Sequence, residues 1–385
     1  MSDEPRKINK AAIVACIVIA LAIIIVLLIN VFNRNAVYTS WETTRSFENI
    51  SEAYYIRTEE GFIAYNRDGA EGHAKDGNVT WKISYDMSDP IAAVGRSYAA
   101  FADRGGQTVH VADFSGTNNT FDVPEQIVEI CVADQGVTAV RTNAGDSDRI
   151  YLYDLKGNML LDLKTDVKKA GFPITMALSG DGKKLVTSYF QVGQENKTWL
   201  TFYNFGEVGQ NYSDKIVGSF SYEEDLIVDI RFLNDSRVIV FYSDGCDIYK
   251  LREIPEPVKK LHFDGGISAI CDSGTGFAVA TQDANGSVAI SVYDLNGKEV
   301  SVIHSSLSFD TMRLEGDELI FTVDDTCVIY RKNGEEKFRA RFNDAIRLVY
   351  PGGSQAEYIV VSETETESIR LRTLKEDAAD TANEK

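Results

Sequence analysis

Short apolar runs recur along this chain, each cut by a polar turn after five to eight residues. One stretch reads IAAVG (91–95), SYAAFAD (97–103), QTVHVAD (107–113) and NTFDV (119–123). Another reads ISAICD (267–272), GFAVATQD (276–283), SVAISVYD (287–294) and GKEVSVI (297–303). Such runs, rich in β-branched and aromatic residues and bounded by Gly, Asn and Asp, predict β-strands in groups of four. No group shows the 3.6-residue apolar period of a helical repeat. The inner runs are near-continuous and the outer ones alternate. That pattern predicts sheets stacked face to face, with the innermost strand the most apolar.

One phrase punctuates the groups. A polar residue, two further residues and a glycine precede a strand in AKDGNVTWKIS (74–84), ADFSGTNNTFDV (112–123), YDLKGNMLLDLK (153–164), YDLNGKEVSVIH (293–304) and YRKNGEEKFRAR (330–341). The glycines are Gly77, Gly116, Gly157, Gly297 and Gly334. Each is expected to supply the positive φ of a hairpin turn. Neighbouring copies lie 39, 41 and 37 residues apart, and the gap from Gly157 to Gly297 is 140. Asn204 in FYNFGEVG and Leu251 in IYKLREIP fill the two vacant slots. A period near 40 with several strands per unit predicts a β-propeller.

The repeating units run over about 51–88, 89–126, 127–172, 173–225, 226–266, 267–308, 309–344 and 345–376. The last has three strands. VYTSWETT (37–44), in the tether 33–50, is expected to supply its fourth and remove an exposed edge. Eight four-stranded blades result. Seven blades, with the C-terminal strands completing the first unit, is the alternative. Residues 377–385 read as a disordered tail.

The N-terminus is a different object. Residues 11–32 (AAIVACIVIALAIIIVLLINVF) form an apolar run of 22, about 33 Å as a helix, enough for a hydrocarbon core of about 30 Å. Arg6, Lys7 and Lys10 precede it and Arg34 alone follows closely. The expected topology is a single transmembrane helix, a cytoplasmic stub at 1–10 and an extracytoplasmic propeller in the cell membrane. A cleaved signal peptide is the alternative.

Charge narrows the partners. The chain carries −19; residues 1–35 contribute +2, leaving −21 for the remainder. A domain so acidic repels phosphate backbones, so nucleic acid is not an expected partner. Cys131, Cys246, Cys271 and Cys327 fall in or beside strands without paired spacing and read as buried thiols, with two disulfides as the alternative.

Candidate chemistry is sparse. His73, His110, His262 and His304 show no ligand spacing, and no nucleophile elbow, P-loop or dinucleotide fingerprint occurs. No catalytic, metal or cofactor residue is assigned. The clusters Asp86/Asp89, Asp146/Asp148, Glu223/Glu224/Asp225 and Asp324/Asp325 stand at strand ends, where a carboxylate bonds nearby backbone. The fourth unit is the longest and breaks the rule at residues 202–215. Phe205, Gly206, Glu207, Gly209, Gln210, Asn211 and Tyr212 are the candidate partner-binding loop. The alternative is an outer-strand extension that packs Phe202 and Phe205.

ADRGG (102–106), GFPITMALSGDGKKLVTSY (171–189) and FYNFGEVGQN (202–211), behind the apolar run, resemble a membrane-anchored propeller family of Gram-positive bacteria of unknown function. AKDGNVTW, ending in Trp81, resembles a repeat of the quinoprotein-like propellers, where a tryptophan docks neighbouring blades; WD40-like repeats are similar in fold. The resemblance implies a cell-surface location and brings no catalytic residues. The expected function is a binding scaffold for a protein or envelope polymer. Alternatives are a carbohydrate lyase or hydrolase sited in the channel, and a structural spacer.

Overall fold

A computed structural model describes residues 36–377, apart from 51, 144, 146–147, 165–170, 194–195, 224, 283–285 and 306–308, and also Ile19. The expected stub and span at 1–32 otherwise lie outside the described residues, among which no helix is long and apolar enough to cross a membrane.

The described strands form eight antiparallel sheets of four. Seven blades are consecutive in sequence, spanning 54–84, 90–122, 126–164, 172–222, 229–262, 269–305 and 311–341. The eighth joins Ile346–Pro351, Glu357–Ser362 and Glu365–Arg372 to the N-terminal strand Ser40–Glu48. First strands of adjacent blades touch one another, which places them around a central channel. The ring is thus an eight-bladed β-propeller, and the seven-blade alternative falls because the first blade is complete without the C-terminal strands.

Closure uses a strand slightly later than 37–44. Ser40 pairs with Arg372 and Glu48 with Glu365, with a bulge between Thr43 and Arg45. Residues 36–38 stay outside the sheet because they are held by the seventh blade, while the Thr39 N–H donates to Arg372 O of the eighth at 3.0 Å. Tyr38 donates its backbone N–H to Lys337 O at 3.0 Å, and the Arg331 guanidinium donates to Ala36 O. At the other end Asp377, assigned to the tail, completes a helical turn at 374–377 and accepts a hydrogen bond from Ser40 Oγ at 2.7 Å.

The core is not central. Eight apolar clusters fill the eight interfaces between neighbouring blades. Between the first two blades, for example, Ile63, Trp81 and Ile83 meet Ala99, Phe101 and Ala112. The most buried strands of a blade are accordingly the second and third, not the innermost as the apolar pattern suggested. Tyr98–Asp103 and Gly276–Gln282 are buried along almost their whole length, whereas the first strands Pro90–Val94 and Ala269–Ser273 are mostly half-buried. A first strand turns one edge to the channel; a second strand has a sheet neighbour on each side and a blade on each face.

The recurring phrase docks the blades. Each of its five glycines takes positive φ, from 72° to 91°. A Cβ on Gly116 would stand 2.9 Å from Trp81 Cβ in the preceding blade, and one on Gly157 would stand 2.5 Å from Phe121 Cβ. The phrase's aspartate shapes the turn: Asp154 Oδ1 accepts the N–H groups of Lys156 and Asn158, both at 2.8 Å, and Asp294 does the same with Asn296 and Lys298.

Candidate functional site

Strand alternation gives the ring two faces. Connections between first and second and between third and fourth strands lie on one; the remaining turns and the blade-to-blade links lie on the other. The first face holds the five glycine turns, the candidate loop of the fourth blade and both described chain ends. The second holds the described members of all four carboxylate clusters: Asp86, Asp89, Asp148, Glu223, Asp225, Asp324 and Asp325. Two of these are held by cations. Arg341 Nε donates to Asp325 at 2.6 Å and keeps its carboxyl below the usual range, and Arg104 stands 3.6 Å from Asp89.

The candidate loop joins Lys197–Asn204 to Ile216–Tyr222 through two short 3-10 turns, Val208–Asn211 and Ser213–Lys215. Its base is structural. Phe205 packs half-buried against the apolar cluster shared by the third and fourth blades, and its N–H donates to Lys183 O at 2.7 Å. Gly209 is buried where a Cβ would stand 1.5 Å from Asn204 O. Asn204 Oδ1 accepts the Gly206 N–H at 2.8 Å, and its amide donates to Glu253 O at 2.9 Å. Glu207, Gln210, Asn211 and Tyr212 point outward and are exposed, Tyr212 at 43 %. Asp214 and Lys215 both take left-handed φ, 55° and 60°, which few non-glycine residues adopt. The loop thus combines the blade-docking role and an exposed tip.

The four histidines are spread over the first, second, fifth and sixth blades. His73 stacks on Phe62 at 4.2 Å, and burial pushes its pKa down. Among the described residues no group of three or more His, Cys, Asp or Glu is arranged to hold a metal ion. Cys131, Cys246, Cys271 and Cys327 are unpaired. Burial pushes the thiols of Cys246, Cys271 and Cys327 up to about 12.

Two features escaped sequence reasoning. The first is a cleft of ≈ 720 Å³ between the seventh and eighth blades, on the face with the chain ends. At its floor Lys337 Nζ donates to Gln355 O and Tyr358 OH, each at 2.7 Å, and pairs with Glu318, which also accepts from Tyr358 OH. Burial pulls the Lys337 pKa down, and burial with Glu318 drives that of Tyr358 up. The second is a set of channel charges. Arg141 pairs with Glu129 at 2.8 Å, Arg231 with Asp272 at 2.6 Å and Asp229 at 2.8 Å, and Arg57 with Glu315 at 3.4 Å. A signal existed: a lone arginine inside short first-strand runs, YYIRT, DIRFLN and TMRLE.

These features define an eight-bladed propeller with a structured loop on its fourth blade and charged pairs on its first strands. The chain belongs to DUF5711, a family of unknown function, whose model matches residues 34–371. No protein of curated function matches it. Its fold is similar to that of BamB from Moraxella catarrhalis, with a TM-score of 0.53 and 12 % identity over 86 % of this chain and 100 % of that one. The computationally designed Ika8 protein reaches a TM-score of 0.58 at 9 % identity, over 88 % and 100 % of the two chains. The Dos1 propeller reaches 0.50 at 12 %, over 89 % and 96 %. At these identities the likeness is one of fold alone.

Proposed function

We propose that this protein is a binding scaffold, anchored in the cell membrane of a Gram-positive bacterium by residues 11–32, with its propeller outside the cell. The observation that carries the reading is the blade-four loop, whose base is locked by Phe205 and Gly209 and whose Glu207, Gln210, Asn211 and Tyr212 are exposed. A stiff base that presents polar and aromatic side chains loses little entropy when a partner docks. The partner is a protein or an envelope polymer. The acidic surface disfavours nucleic acid.

The arrangement of the ends adds an orientation. Seven residues, 33–39, separate the apolar run from the strand Ser40–Glu48, a reach of at most about 25 Å. The face bearing the chain ends and the loop then lies toward the membrane, and the face with the carboxylate clusters lies away from it. The channel carboxylates Glu129, Asp229, Asp272 and Glu315 each have an arginine partner, which favours a scaffold over a hydrolase needing a free acid and base.

The test is site-specific photocrosslinking in intact cells. A crosslinker at position 212 is expected to capture a discrete product, and one at the exposed Asp264 on the opposite face is not. Equal capture at both positions, or none at 212, overturns the reading.

A further inference from the structure

Arg57, Arg231 and Arg313 lie on the first strands of blades one, five and seven, and Arg141, on the second strand of blade three, donates to Pro173 O and Ile174 O on the first strand of blade four. The first strands around them are otherwise mostly apolar. Three have carboxylate partners, and Arg231 has two. Arg313 has neither a hydrogen bond nor an ion pair among the described residues. It lines a cavity of ≈ 420 Å³ together with Arg231, Cys271, Asp272 and Glu315. Burial and the neighbouring Arg57 both act against its charge, and Glu315 offsets them only in part. Arg57 is itself compensated: its Nε lies 3.4 Å from Glu315, its Nη1 donates to Gly61 O at 3.3 Å, and its guanidinium sits 5.3 Å over the Tyr350 ring.

An unpaired guanidinium in a concave, half-buried site is unfavourable unless something neutralises it. A planar fork of donors matches a carboxylate, which can accept two parallel hydrogen bonds. Three carboxylates line the same cavity: Asp272 is held by Arg231, Glu315 lies 3.4 Å from Arg57 and Asp310 accepts the Asp324 N–H, which leaves Arg313 as the unpartnered group, and together they repel a dianion more strongly than a monoanion. Phe309 and Ala269 add apolar wall beside the charge.

We infer that Arg313 is a channel site for a carboxylate monoanion on an aliphatic stem. Two sources share that chemistry: a free short-chain carboxylic acid, and an acidic side chain inserted by a peptide. The site is independent of the loop at Tyr212.

The experiment uses the full chain in detergent. Its melting temperature is followed as chloride is exchanged for acetate or butyrate at constant ionic strength, and as N-acetyl-glutamic acid amide is added against its glutamine analogue. The wild type is expected to melt higher in the carboxylates, and Arg313→Gln to show no rise. Response to butyrate alone assigns a free acid; response to the glutamate probe but not its glutamine analogue assigns a side chain. In chloride alone Arg313→Met is expected to melt no lower than wild type, because it removes an uncompensated cation. No rise in the wild type, an equal rise in Arg313→Gln, or a lower melting temperature for Arg313→Met overturns the site; the last would mark the arginine as structural.

Discussion

Gly77 stands directly against the ring of Phe47: a Cβ on the glycine would lie 2.6 Å from Phe47 Cε2. Phe47 belongs to the N-terminal strand that completes the eighth blade, and Gly77 to the first copy of the recurring turn. The same contact recurs between Gly116 and Trp81 and between Gly157 and Phe121. The turn that marks each blade in the sequence is therefore the surface by which that blade sits on the one before it. At Gly77 it also holds the closure of the ring.

Two requirements meet at these glycines, a left-handed φ and a missing Cβ, and they can be separated. Gly105 has φ +83° and nothing within 4 Å of its would-be Cβ, whereas Gly157 has φ +77° and Phe121 at 2.5 Å. Gly105→Ala is expected to cost about 1 kcal/mol, the conformational strain alone. Gly157→Ala is expected to cost about 2–4 kcal/mol, because a well-packed interface must also shift. Denaturant midpoints at unchanged slope measure both. Equal losses would mean that the glycine does not dock the blades.

Closure by the N-terminal strand predicts an asymmetric response to truncation. Trimming residues before Ala36 leaves every described contact in place. Removing residues through Glu48 uncovers the edge of Glu365–Arg372, and the protein is expected to melt lower and to associate, visible by light scattering. A milder probe is Trp41, whose ring lies 4.6 Å from that of Phe342 and 6.3 Å from that of Phe338. Trp41→Ala is expected to cost about 2–4 kcal/mol. A stability unchanged by either alteration would contradict the closure.

The blade count was legible because Gly77, Gly116, Gly157, Gly297 and Gly334 answer a backbone demand that few residues meet. The fourth strand of the last blade was legible because an open edge needs a partner. What strand periodicity could not show was which polar residues converge. Arg57 and Glu315 are 258 positions apart and come from blades one and seven. The ranking of strands also misled, because IAAVG is apolar in composition yet lines a channel. The loop at 205–212 was found as a break in the repeat, but its double nature depends on contacts of Phe205 and Gly209 that no spacing encodes.

Alkaline pH offers a test of the buried thiols. Cys246, Cys271 and Cys327 are raised from an ordinary value of 9.0 to about 12 by burial. A group raised on folding contributes stability that is complete below its unfolded value and lost as pH climbs to the folded one. The thiols should therefore add no slope to the denaturation midpoint below pH 9 and make it fall between about 9 and 12, by about 1 kcal/mol per thiol at pH 10. Replacing the three cysteines by alanine is expected to make the fall between pH 9 and 10 shallower, leaving the contribution of Cys131, whose thiol burial also pushes up, and the later loss from buried tyrosines such as Tyr249 and Tyr153, raised to about 12. A triple variant with the wild-type slope would mean that these thiols are not buried.

The blade-four loop predicts a division of labour between Phe205 and Tyr212. Phe205 packs against the apolar cluster between the third and fourth blades, so Phe205→Ser should lower stability by about 2 kcal/mol. Gly209→Ala forces a methyl toward Asn204 O at 1.5 Å without any demand on φ, so the loop must rebuild. Tyr212 is exposed and takes no part in the interface, so Tyr212→Ala should leave the melting temperature within about 1 °C of wild type. If the tip recognises a partner, Tyr212→Ala and Gly209→Ala both reduce capture by a crosslinker moved to the neighbouring Asn211, while a stability-matched variant at Trp41 does not. Loss of capture that followed stability alone across the four variants would reduce the loop to a structural brace.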